Sequence, residues 1–270
     1  MPKVMDVILR DSVPQIFKRP YLSVPPDSTL RQIAPFLAIG PQIYVDGLVV
    51  IEAERPIGRI SSKEILLTII NTKYPDWLNV RASQMMDNSG IPVEMDLPLG
   101  KAINIFRQTS FAFIPITKSG SVVASLSIRD VLPIIAESTV DVSLKDISSP
   151  LVLLSNKTNL KAALRIMFER NIRNMITKIE NDYYIANDRN ILEFLFSHSG
   201  RNVMRTNNEG VQAVGIDLID MPLAIKVKEN TTVNQAAQLL MDLNTSCLLL
   251  GEFIITPSDI VMKTTEKIHN

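Results

Sequence analysis

Three polar turns that follow an apolar strand set a hydroxyl three residues ahead of a carboxylate: Ser61 with Glu64, Ser127 with Asp130, and Thr256 with Asp259. A fourth place has the same spacing with amides, Asn187 and Asn190. A carboxylate accepts only, and it can engage two hydroxyls at once. A helix N-terminus beside it offers free N–H groups and the positive end of a dipole to an anion. The same S-x-x-D/E spacing is also a capping box, which stabilises a helix by ~1 kcal/mol without any ligand. The two roles are compatible. The residue just before the acid position is Lys63, Arg129 and Arg189 in the first three places. A cation in the first turn opposes the helix dipole by ~0.3–1 kcal/mol, so helix stability does not ask for it three times. A phosphate would ask for it, most of all at Arg129; long side chains that simply extend into water are the alternative.

Four amphipathic helices stand ahead of these turns. Their stripes are Leu30, Ile33, Ala34 and Leu37; Leu99, Ala102, Ile103 and Phe106; Leu160, Ala163, Leu164 and Met167; and Val233, Ala236, Ala237 and Leu240. Each has apolar residues at i, i+3, i+4 and i+7, with a small residue that permits close packing. Thr29, Asn159 and Thr232 are cap candidates, with Pro98 in the equivalent place. Pro35, inside the first helix, is expected to shorten or kink it.

Strands are expected before each stripe (21–24, 92–95, 151–154, 224–227) and after it (48–52, 112–117, 174–179, 247–250). A further strand runs into each polar turn. A second helix then follows at 63–71, 128–136, 189–196 and 258–265. The stripes recur after 69, 61 and 73 residues, which makes one supersecondary unit repeated four times with varying loops. The polar segment from Ser199 to Gly210 reads as a long loop between units three and four.

Four β-α-β-β-α units, each with a strand entering S/T-x-x-D/E and a helix, resemble tandem cystathionine-β-synthase (CBS) domains. The most specific piece is Ala112-Phe113-Ile114-Pro115-Ile116 with Ser127 and Asp130. The four-unit organisation resembles that of the gamma subunit of AMP-activated protein kinase. The resemblance implies an α+β fold with units at 1–75, 80–137, 141–198 and 214–266, forming two pseudo-two-fold pairs: one with two, three with four. It implies binding of an adenosine compound, an adenine nucleotide (AMP, ADP or ATP) or S-adenosylmethionine, in clefts between paired units. The carboxylates Glu64, Asp130 and Asp259 would take ribose hydroxyls. Ser61, Ser127 and Thr256, with Lys63 and Arg129, would take phosphate, and Phe113, Ile114 and Pro115 would wall the base. Unit two is the expected working cleft. Unit three, with Asn187 and Asn190, is expected to be empty or altered. Glu64 is one methylene longer than Asp, and unit four has Pro257 and lacks the cation.

The rest of the chain narrows the classes. Lys+Arg and Asp+Glu are 28 each, so a basic nucleic-acid binder is not the default. Arg201, Arg205, Lys226 and Lys228 form a modest basic cluster, read as a solvated face. Neither G-x-x-x-x-G-K-[ST] nor G-x-G-x-x-G occurs. The single Cys247 reads as a buried strand residue, and His198 and His269 lack metal-ligand spacing. Asp217 and Asp220 read as surface carboxylates, and Met85 and Met86 as packing residues. No apolar run approaches the ~20 residues of a spanning helix, and the N-terminus, charged by residue 6, does not read as a secretory signal. The expectation is a cytoplasmic regulatory protein, not an enzyme, that acts on a protein partner as a monomeric disc or a homodimer. The alternative is a ligand-free scaffold or interaction subunit.

Overall fold

The computed structural model describes residues 5–38, 46–73, 75–89, 92–206 and 210–269. Residues 1–4 of the N-terminal stretch, residues 207–209 of the expected loop and the side chain of His269 lie outside the described ones.

The four stripes fold as α1 (Leu30–Ala38), α3 (Leu99–Thr109), α5 (Leu160–Glu169) and α8 (Val233–Asp242), and every stripe residue is buried. Burying each stripe removes enough apolar surface to stabilise a helix too short to persist alone. The Asn159 side chain accepts from the Ala162 N–H at 2.9 Å, and Thr232 forms a full capping box with Gln235. Pro35 does not end α1, which runs on to Ala38, though at nine residues α1 is the shortest of the four.

The strands are β1 (Ser23–Val24), β2 (Gly47–Glu52) and β3 (Arg55–Ser61) in unit one; β4 (Val93–Glu94), β5 (Phe113–Lys118) and β6 (Ser121–Ser127) in unit two. Next come β7 (Ser149–Pro150), β8 (Leu153–Leu154), β9 (Asn174–Ile179) and β10 (Asp182–Asn187), then β11 (Ile225–Lys226), β12 (Leu248–Leu250) and β13 (Phe253–Ile255). Each unit forms a small mixed sheet, with the short first strand parallel to the middle one and the last two antiparallel. The exception is β7, which leaves unit three to pair with β13 of unit four.

The second helices are α2 (Ser62–Asn71), α4 (Leu132–Glu137), α6 (Asp188–Phe196) and α9 (Thr264–His269). Two departures from the expected spans stand out. In unit two a 3-10 turn, Ile128–Val131, precedes α4, because Pro133 has no N–H to continue the ladder from the turn before it. In unit four a widened π turn, Asp259–Lys263, precedes α9.

The expected loop from Ser199 is corrected by α7 (His198–Thr206). Its polar composition hid it: only Gly200 and Met204 are buried. Gly200 is there for space, since a Cβ would collide with the Phe194 carbonyl at the end of α6.

Sheets meet within pairs. Val49, Phe113 and Val122 join units one and two, while Ile176, Ile185, Cys247, Leu249 and Ile254 join units three and four. Helices meet across pairs. α1 and α2 pack on α6, and α4 packs on α8. One core therefore runs through units one and three, and a second through units two and four.

Candidate functional site

Each polar turn caps its helix. In unit one Ser61 accepts from the Lys63 N–H at 3.3 Å, and Glu64 accepts from the Ser61 N–H at 2.7 Å. In unit two Asp130 accepts from the Ser127 N–H at 2.7 Å, and in unit four Asp259 accepts from the Thr256 N–H at 2.9 Å. Unit three manages with an amide: Asn187 Oδ1 accepts from the N–H groups of Arg189 and Asn190 at 3.0 and 2.9 Å.

The turns of all four units converge on one cavity of about 340 Å³. The four equivalent first-turn positions, Lys63, Arg129, Arg189 and Ser258, all border it. Ser61, Glu64, Thr256 and Asp259 border it too. Lys63 is exposed and makes no ion pair among the described residues. Arg129 donates to the carbonyls of Leu240 and Thr245 at 3.3 and 2.5 Å, which ties unit two to unit four. Arg189 pairs with Asp46 of unit one at 3.1 Å.

The residues expected to form the unit-two cleft are closed over by protein contacts. Phe113 is 2% exposed and lies against Gly47 between the sheets, while Ile114 points the opposite way, into the helical core. Pro115 is buried as well, so these three residues do not wall an open base site. Asp130 is not open either. Arg19 donates to both of its oxygens, at 2.7 and 2.6 Å. Burial pushes the Asp130 carboxyl above the usual carboxylate range, against the opposing pull of Arg19 and the Ser127 N–H. Neither Ser127 nor Asp130 lines the shared cavity. Asp259 is held by Lys263 and by the Ser149 hydroxyl, both at 2.7 Å.

Several residues at the cavity carried no signal in the sequence, because their partners lie far along the chain or outside the turn motif. Arg59, 3% exposed, pairs with Asp87 at 2.5 Å and lies over the ring of Phe111. Burial lowers the Arg59 pKa, with Glu64 and Asp87 opposing. Burial alone would raise Asp87, but hydrogen bonds from Ser89 and the charge of Arg59 outweigh it and hold this carboxyl below the usual range. Unit three does have a carboxylate, at the second position of the turn: Asp188, held by Arg173 at 2.7 Å. Asn174 faces Asn187 across the ladder, and its buried Oδ1 has no partner among the described residues. The former basic cluster divides, with Arg201 on α7 in a groove beside Arg31 and Lys226 over the ring of Tyr183. Among the described residues no His/Cys/Asp/Glu group could hold a metal ion, and no helix is long and apolar enough to cross a membrane.

No family model and no curated protein matches the chain. Solved structures do. A Methanocaldococcus jannaschii protein, described as a proposed archaeal homologue of g-AMPK, superposes with a TM-score of 0.79 at 17% identity, over 91% of this chain and 96% of that one. An uncharacterised conserved protein of Pyrococcus horikoshii gives 0.54 at 17% identity, over 83% and 92%. A CBS domain protein of Pyrobaculum aerophilum complexed with AMP gives 0.39 at 26% identity, over 44% and 88%. With its four small mixed sheets meeting in two pairs and its helices closing the pairs on each other, the chain has the fold of a tandem CBS protein.

Proposed function

We propose that the chain is a regulatory, non-catalytic protein that senses an adenosine compound carrying phosphate, such as AMP, ADP or ATP. One observation carries this reading: the same first-turn position of all four units borders one cavity, and in three units that position is basic. Helix capping explains the hydroxyls and carboxylates but not these cations; Arg129 and Arg189 also tie units together, and Lys63 makes no ion pair among the described residues. A cavity of this size suits a phosphate group with part of its nucleoside. Ser61, Lys63 and Glu64 of unit one and Thr256 of unit four are the residues assigned to it. A ligand held there touches every unit at once and so favours whichever arrangement of the pairs fits it better. The protein partner that reads this arrangement, and a cytoplasmic setting, belong to the same proposal.

The ligand-free scaffold reading also has an observation in its favour: Asp130 and Asp259 are both engaged by internal cations. Calorimetric titration with AMP, ADP, ATP and S-adenosylmethionine separates the two. Binding of the phosphate-bearing compounds, weakened about tenfold by Lys63→Ala, supports sensing. No binding at millimolar concentration leaves the scaffold.

A further inference from the structure

The N-terminal segment of unit one, ahead of β1, packs on unit two. Met5, Leu9, Val13 and Ile16 are buried in the core of units two and four. The Leu9 N–H donates to the Leu97 carbonyl and the Leu99 N–H to the Val7 carbonyl, both at 2.9 Å. A 3-10 turn, Pro14–Phe17, follows against β6, and the Gln15 amide reaches the Asp130 carbonyl at 3.3 Å. Pro20 disfavours helix at the residue before it, so the chain leaves this turn at Arg19.

Arg19 then forks onto the carboxylate of unit two. Nη1 donates to Asp130 Oδ1 at 2.7 Å and Nη2 to Oδ2 at 2.6 Å, and Nη2 also reaches the Ser125 carbonyl at 3.1 Å. The Asp130 side chain is 7% exposed, whereas that of Arg19 is 39% exposed. A planar fork on a carboxylate is strong and geometrically specific. With the Ser127 N–H on Oδ2, three of the roughly four acceptor directions of this carboxylate are filled. A second ligand hydroxyl can reach it only after Arg19 moves aside, and the half-exposed Arg19 side chain has solvent to move into. The first segment of unit three repeats the arrangement with less force: Ser149 donates to Asp259, but a hydroxyl lends no charge.

We infer that Arg19 is an internal occupant of the Asp130 carboxylate and decides whether that carboxylate is available to a ligand. The inference rests on the adenosine reading above. It makes the segment that carries Arg19 a built-in competitor for one of the four polar turns.

The test is calorimetric titration of the full chain with AMP, for the parent, Arg19→Ala, and Arg19→Ala combined with Asp130→Asn. Circular dichroism checks that each is folded. The expected result is one additional site in Arg19→Ala, or at least tenfold tighter binding, both lost in the double variant. Arg19→Lys, which keeps the charge without the fork, serves if Arg19→Ala does not fold, and it should show part of the gain. Parent and folded variants with the same stoichiometry and affinity would overturn the role of Arg19 while leaving the adenosine reading in place. No binding by the parent or any variant at millimolar AMP would overturn both.

Discussion

The guanidinium of Arg59 lies 3.0 Å from the centre of the Phe111 ring, so a buried cation of unit one is sandwiched between an aromatic face of unit two and the Asp87 carboxylate. Strand β3 delivers the arginine, and the end of α3 runs straight into the phenylalanine. Arg59→Ala should cost about 3 kcal/mol, because it strands a partly buried carboxylate and removes the stack. Arg59→Lys should recover less than half, lacking the flat guanidinium that lies on the Phe111 ring. Urea unfolding measures both, and an Arg59→Ala protein as stable as the parent would show that the sandwich contributes nothing.

The same pair sets a pH dependence. Asp87 titrates below its ordinary value in the folded protein, so its stabilising share is complete above the unfolded value near ~3.9 and is lost as pH falls through the lower folded value. The stability gap between the parent and Asp87→Asn should therefore stay level from neutral pH to about pH 5 and close below about pH 4. A gap that widened on acidification would contradict the sign.

Cys247 is fully buried, and burial pushes its thiol up to about 12. At pH 8 roughly one molecule in ten thousand carries the reactive thiolate. A thiol reagent should label the protein only as it unfolds, with a urea midpoint equal to that of the circular dichroism signal. Rapid labelling of the folded protein would place the thiol elsewhere.

Asn187 and Asn190 belong to one turn but should behave differently. Asn187→Ala removes a cap serving two N–H groups and a 3.1 Å bond to Ser246, and should cost about 1–2 kcal/mol. Asn190 Oδ1 is buried without a partner among the described residues, so Asn190→Ala should change stability by no more than about 0.5 kcal/mol. Thermal melts of the two variants make the comparison, and equal losses would refute it.

The four helical stripes were readable because burial at i, i+3, i+4 and i+7 leaves its mark directly on residue type. The turns were readable for a similar reason, since capping fixes a hydroxyl or amide three residues ahead of an acceptor. Which carboxylates stay open was not readable. Arg19 meets Asp130 across 111 positions, and the Arg59–Asp87–Phe111 contact needs two units docked before any of its members is a neighbour. Helix α7 was hidden because its glycine, a loop signal in isolation, answers to the Phe194 carbonyl. Lys63, Arg129 and Arg189 stood out as a recurring oddity, but their convergence on one cavity is a property of four assembled units.

Both pairs are carried on one chain, and α1 and α4 of the first meet α6 and α8 of the second. The link between them is short, and the helical turn just after it, Leu144–Ile147, is anchored in the core by Leu144 and Ile147. Each pair therefore meets the other at an effective concentration on the order of millimolar, whatever the amount of protein present. Under the sensing proposal, a change in how the pairs meet within one chain would be a unimolecular equilibrium, with a set point indifferent to dilution and to expression level. Such an equilibrium would follow ligand concentration alone, with no correction for how many copies of the protein share the ligand.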